Sequence, residues 1–221
     1  MEPIEFGEFL KRTGFSKDAF NFDGLRNLEK VVSLRSIETP LIINAMPVEY
    51  LERLLKRIGL TSDPEHKIYE HSRIRRLRVD PNGLYIGQKY VYRQKYTDIM
   101  EGFKEIFSGF TVPRGLSKLT PFIIFGKDSN GAIALAHYIP PIFEVHNGKM
   151  VILDGVHRDF IIKNAGTTIE SIVIENINAP FPCEPRGWKN IEVTSEKPAK
   201  IEDRYFELKP KLFRDLKSIG I

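Results

Sequence analysis

Cysteine is nearly absent from this chain: Cys183 is the only one in 221 residues. Without a second, no disulfide can close within the chain and no cysteine-rich zinc site can be built. A reducing, cytoplasmic setting is the expectation that follows. Long apolar runs are missing as well. No stretch approaches the roughly 20 residues a helix needs to cross a bilayer, so no membrane partner is expected. Residues 1–15 lack a basic start followed by an apolar run and are not expected to act as a signal peptide. Internal repeats and low-complexity segments are also lacking. No charge of one sign dominates: a net charge of +4 and a pI near 9.0 suit phosphate-bearing partners without demanding nucleic acid. What remains is ordinary for a folding chain, with 42% hydrophobic and 28% charged residues, enough to bury a core.

Local patterns divide the chain. Residues 40–45 read as a short buried strand, and Pro47 suits the first turn of a helix over 48–58. Leu51, Leu54, Leu55 and Ile58 recur there at helical spacing. Residues 61–64 read as a loop and a domain boundary. Strand character follows to Val79, then Asp80-Pro81-Asn82-Gly83 signals a turn. A helix is predicted over 96–107, with Ile99, Met100, Phe103 and Ile106 or Phe107 as its apolar stripe. Strands over 122–125 and 132–138 flank a loop with hairpin chemistry. A second hairpin joins 142–145 to 150–153 through Asn147-Gly148, a strong short-range hairpin signal. Then come Asp154-Gly155, a helix over 156–164 stopped by Gly166, and a strand over 169–174. From residue 178 the prolines suggest an extended tail over the body, closed by a short helix over 206–216.

One segment carries chemistry: Asp154-Gly155-Val156-His157-Arg158. A helix start leaves backbone N–H groups unpaired and carries partial positive charge. Gly155 lets a ligand approach the backbone. His157 and Arg158 add side-chain donors, and the guanidinium fork matches phosphate oxygens. Gly155, Val156, His157 and Arg158 thus read as an anion cradle. The plainer reading is that Asp154 caps the helix, Gly155 turns the chain, His157 is satisfied by backbone and Arg158 pairs with a carboxylate.

The order strand, Asn-Gly turn, strand, Asp154-Gly155-Val156-His157-Arg158, helix, Gly166, strand resembles the ParB/sulfiredoxin-like superfamily over residues 139–175. In that family a strand ends in a Gly-x-x-Arg turn, commonly with His before Arg. Strand 74–79, the Asp80-Pro81 turn and the helix near Tyr96 look like the family's opening elements. The resemblance implies an α+β fold: a small mixed sheet with flanking helices over 63–177, an N-terminal extension over 1–62 and a tail over 178–221. Sulfiredoxins place a catalytic Cys just before His-Arg; Val156 stands there, so reductase chemistry is not implied. ParB partition proteins bind CTP and DNA and need a downstream helix-turn-helix domain, for which the roughly 45 residues after the last core strand are too short and too proline-rich. Free serine kinases of this fold carry Asp-Gly-His-His-Arg and use ADP. Asp154, Gly155, His157 and Arg158 match that string, and Asp80 is the nearest counterpart of their upstream acidic residue.

The resulting expectation is a nucleotide-binding protein for ATP, ADP or CTP, extended to phosphotransfer onto a small molecule. Asp154, His157 and Asp80 are its catalytic candidates, with Mg²⁺ at Asp154 and Asp80. The alternative is a nucleic-acid-binding protein or ParB-like nuclease using Arg73, Arg75, Arg76 and Arg78. Tyr85, Tyr90, Tyr92 and Tyr96 interleave with Lys89, Arg93 and Lys95, a mixture suited to single strands. Cys183 and Trp188 read as packing residues. His137 and His146 lack a third ligand, so no zinc is expected.

Overall fold

The computed structural model describes residues 2–21, 27–106 and 120–220. It is an α+β protein, as expected. The side chains of Met100, Phe103 and Ile106, and all of Phe107, lie outside the described residues. Among the described residues no helix is long and apolar enough to cross a membrane.

The chain divides into two compact units that do not follow the three consecutive segments expected from sequence. One gathers 1–70, 120–139 and 214–221; the other gathers 71–119 and 140–213. The difference arises because residues far apart in sequence pair: Lys30 and Val31 lie in register with Ala134 and Leu135.

The first unit holds a five-stranded sheet ordered β1-β2-β10-β9-β3. These strands are β1 (Ile4–Glu5), β2 (Lys30–Val31), β3 (Thr39–Ala45), β9 (Phe122–Lys127) and β10 (Ile133–Tyr138). The expected β9–β10 hairpin forms, and Asp128 Oδ1 accepts the amides of Asn130 and Ala132 across its loop. Two helices belong here, α1 (Phe6–Thr13) and α2 (Val48–Leu55). Helix α2 stops three residues short of expectation, because the amide of Ile58 bonds back to the Leu55 carbonyl and tightens the turn. Strand β3 is not buried: it is an edge strand bonded to β9 alone, and Leu41 is exposed. The loop expected over 61–64 is instead part of a small hairpin, β4 (Gly59–Leu60) with β5 (Asp63–Lys67). A Cβ on Gly59 would stand 2.3 Å from the Pro64 carbonyl oxygen, so glycine permits this approach.

The second unit is built on a six-stranded mixed sheet ordered β14-β7-β12-β11-β13-β6. Its strands are β6 (Arg73–Val79), β7 (Tyr85–Ile86), β11 (Ile142–His146), β12 (Lys149–Asp154), β13 (Ile169–Glu175) and β14 (Arg186–Gly187). The Asn147-Gly148 signal is realised as a turn with φ of +51° and +75°, joining β11 to β12. Helix α4 (Val156–Asn164) leaves β12 and ends before Gly166, both as expected. Helix α3 (Arg93–Ile106) follows β8 (Tyr90–Tyr92) and packs on α4. Val156 joins Val79, Leu84, Ile86, Phe143, Ile152 and Val173 in one hydrophobic cluster of this unit.

The proline-rich segment does lie over the sheet. Phe181 and Cys183 pack on Val151 beside Tyr205 and Leu208. Its backbone is tied down where the Phe206 amide donates to the Gly87 carbonyl. Strand β15 (Glu192–Thr194) pairs with β8 in parallel. The helix expected over 206–216 does not form. Pro210 opens a three-residue 3₁₀ turn instead, and Asp215 caps another over Leu216–Ile219.

Candidate functional site

The predicted segment sits where β12 hands over to α4. Gly155 adopts φ +100° before the first helical residue. A Cβ there would lie 2.8 Å from Pro141 Cβ and 3.0 Å from Pro141 Cα. Two independent constraints, handedness and space, therefore require glycine at this turn. The helix start leaves its first amides without intrahelical acceptors. Val156 contributes only that amide, since its side chain is in the core.

Arg158 reaches back one turn, and its Nη2 donates to Asp154 Oδ2 at 2.6 Å. Only 14% of the Arg158 side chain is exposed against 44% for Asp154. The guanidinium is thus mostly sheltered, and its carboxylate partner is the more accessible of the two. Asp154 is not a helix cap: no side-chain cap bond is made at this helix start.

His157 does not face a ligand. It is buried, and its Nε2 accepts the backbone N–H of Tyr92 at 3.0 Å. The accepting Nε2 leaves the proton on Nδ1. Burial pushes the imidazole down to about 4, helped by the positive charge of Lys95. A neutral ring that accepts a backbone proton is neither a general acid nor a charged phosphate donor at neutral pH. The expectation for His157 is corrected accordingly: it braces α4 against the start of α3. Its ring centroid lies 5.4 Å from that of Tyr92.

Asp80 is spent locally. Its Oδ1 accepts both the amide and the side-chain nitrogen of Asn82, each at 2.9 Å, capping the 3₁₀ turn Pro81–Gly83. That turn nonetheless packs on α4, so the structure brings it to the same helix as Arg158. Trp188 pins the arrangement. Its Nε1 donates to the Pro81 carbonyl at 2.7 Å, and its ring lies 6.1 Å from that of Phe160 on α4.

The arginines of β6 are largely engaged. Arg75 pairs with Glu175, and Arg76 pairs with Glu170 through Nε at 3.0 Å and through Nη2. Arg78 donates to the Thr168 hydroxyl. Arg73 is exposed. An open hollow is lined by Arg76, Leu77, Arg78 and Glu170, on β6 and β13. Of the interleaved aromatic and basic residues, Tyr85 takes Lys149 over its ring at 4.8 Å, and Tyr92 takes Lys197 at 6.0 Å.

One residue of the site escaped the sequence reading. Asp159, in the first turn of α4, is wholly buried, and neither carboxylate oxygen has a hydrogen-bond partner. Burial raises its pKa well above the ordinary carboxylate value; Arg158 opposes the rise and Asp154 adds to it. The available signal was its spacing: Asp159 falls three residues after Val156, on the core-facing side of a helix.

Among the described residues, no group of three or more His, Cys, Asp or Glu side chains is placed to hold a metal ion. Comparison with protein-family models, with curated proteins and with solved structures finds no match.

Proposed function

We propose that the start of α4 binds the phosphate of a nucleotide, with ATP, ADP or CTP as the ligand class. The observation that carries this reading is the state of Arg158: a mostly sheltered guanidinium at a helix N-terminus, facing a half-exposed carboxylate that stands where an anion would bind. The Asp154–Arg158 pair is itself a charge-assisted bond, with Arg158 sheltered and its carboxylate partner half-exposed to competing anions. A charge-assisted bond to phosphate contributes about 1.5–3 kcal/mol. A phosphate, with several charged oxygens and the helix-start amides to bond as well, competes with Asp154 for the guanidinium. The amides at the helix start and the absence of a side chain at Gly155 support the same ligand. His157 contributes by positioning.

Phosphotransfer to a small-molecule acceptor is the extension of this reading that the ParB/sulfiredoxin-like resemblance suggests. Asp154, once released, would hold the magnesium that such chemistry uses; the metal would neutralise phosphate charge. Asp80 fits that role less well, because one of its oxygens is committed to the turn. The nucleic-acid or nuclease alternative would use the β6 arginines, where Arg75 and Arg76 face carboxylates as Arg158 does but no helix start adds backbone amides.

Arg158→Ala tests the reading. Titration calorimetry with ADP is expected to show affinity reduced about 10- to 100-fold, the equivalent of one charge-assisted phosphate bond. Equal affinity in the variant would contradict it. A loss produced by Arg75→Ala and Arg76→Ala instead would move the site to β6.

A further inference from the structure

Strand β6 stands at one end of the six-stranded sheet and is as long as any strand in it. Its two sides can be told apart. The Ile172 amide on β13 donates to the Pro141 carbonyl at 2.8 Å, so the backbone of Ile172 faces β11. Its neighbours Ser171 and Val173 therefore bond to β6, where they stand opposite Leu77 and Arg75. Bonding alternates along an antiparallel pair. Ile74, Arg76 and Arg78 consequently direct their amides and carbonyls away from the sheet. Among the described residues no backbone group meets them.

An open edge of this length is a template for another strand. The side chains decide which strand. Arg73, Arg76 and Arg78 are exposed. Arg76 pairs with Glu170, whereas Arg78 bonds to the Thr168 hydroxyl. In the hollow that Arg76 and Arg78 line, two guanidinium groups thus share the one carboxylate of Glu170. A second copy of β6 laid alongside would bring arginine against arginine, and like charges on facing strands are destabilising. An acidic strand is attracted by the same groups. Phosphates of a nucleic acid would accept the outward amides but cannot donate to the outward carbonyls. An extended peptide does both. We propose that the outer edge of β6 binds an extended acidic segment of a partner protein, which adds as a further strand and sets carboxylates two residues apart opposite Arg76 and Arg78. The inference is independent of the phosphate reading, since it uses other residues and another ligand.

Fluorescence anisotropy with a labelled heptapeptide alternating glutamate and valine tests it. One control peptide has lysine in place of glutamate. Another is N-methylated at two adjacent central residues, which blocks both of its edges by removing donors. Wild type is expected to bind the acidic peptide at least about tenfold more tightly than either control. Arg76→Ala combined with Arg78→Ala is expected to weaken that binding about three- to tenfold, the worth of two exposed ion pairs. Its melting temperature should stay near that of wild type, because both side chains are exposed. In wild type, the amides of Ile74, Arg76 and Arg78 should shift as the acidic peptide is added, which locates the contact without a variant. No binding at millimolar peptide, equal binding of either control, unchanged affinity in the variant, or no shift at these amides overturns the proposal. Tighter binding of a single-stranded oligothymidine of equal charge also overturns it and assigns the edge to nucleic acid.

Discussion

Gly155→Ala is expected to destabilise the protein by about 2–6 kcal/mol. A non-glycine residue held at positive φ costs about 1–3 kcal/mol, and Gly155 sits at +100°. Forcing extra volume into a packed site costs a further 1–3 kcal/mol or so. Here the new methyl would meet Pro141, whose ring and backbone have little room to give. Against a typical total stability of about 5–15 kcal/mol this is a large fraction. Gly148→Ala provides the control. Gly148 also has positive φ, +75°, but nothing lies within 4 Å of the added Cβ. It should show the backbone cost alone. Urea unfolding of both variants measures the difference; equal losses would mean that Pro141 does not enforce glycine at this turn.

Acidification is expected to weaken the protein through His137. Burial pushes its imidazole down from the ordinary 6.5 to about 4. Tyr50, whose phenol burial pushes up, is hydrogen-bonded through its hydroxyl to His137 Nε2 at 2.6 Å, with Phe9 packed alongside. Between those two pH values the unfolded chain takes up a proton that the folded chain refuses. The stability linked to His137 is therefore fully present above about pH 6.5 and is lost as pH falls toward about 4. The slope approaches ~1.4 kcal/mol per pH unit, and the full loss is roughly 3 kcal/mol. His157 acts in the same direction, so His137→Phe should flatten the dependence without abolishing it. Stability measured from pH 7 to pH 4.5 checks this. An unchanged slope in the variant would show that the Tyr50–His137 contact does not carry the pH dependence.

The parts of the fold legible in the sequence are those whose cause is local. Asn147-Gly148 can adopt the positive φ values a tight hairpin needs, and the hairpin is there. Gly155 and Gly166 bracket α4, whose bounds match the reading. Elements decided by distant partners were not legible. Strand β5, although its partner β4 is close in sequence, begins Asp63-Pro64-Glu65, a loop-like string, and depends on the close approach of Pro64 that Gly59 permits. Helix α1 was not foreseen, although Phe6 and Phe9 on it are core residues. The two-unit division depends on strand pairings across about a hundred residues, such as Lys30 with Ala134.

The site divides along the same line. Gly155 and the Arg158 fork follow from residue type and helix geometry alone. The role of His157 does not, because its partner is the backbone of Tyr92, 65 residues earlier. Asp80 is a sound turn signal whose capping bonds limit what else it can do. Asp159 was passed over because charged residues on a short helix are usually solvated; only packing reveals that this one is buried without a partner.

Backbone amide shifts on titration with ADP test the phosphate site most directly, because they report where the anion lands without presuming a reaction. The amides of Gly155, Val156, His157 and Arg158 should shift in a saturable way and faster than those of β6, and Arg158→Ala should suppress the effect. Shifts confined to residues 73–79 and 168–175, or none at the start of α4 at millimolar ADP, would contradict phosphate binding at this turn.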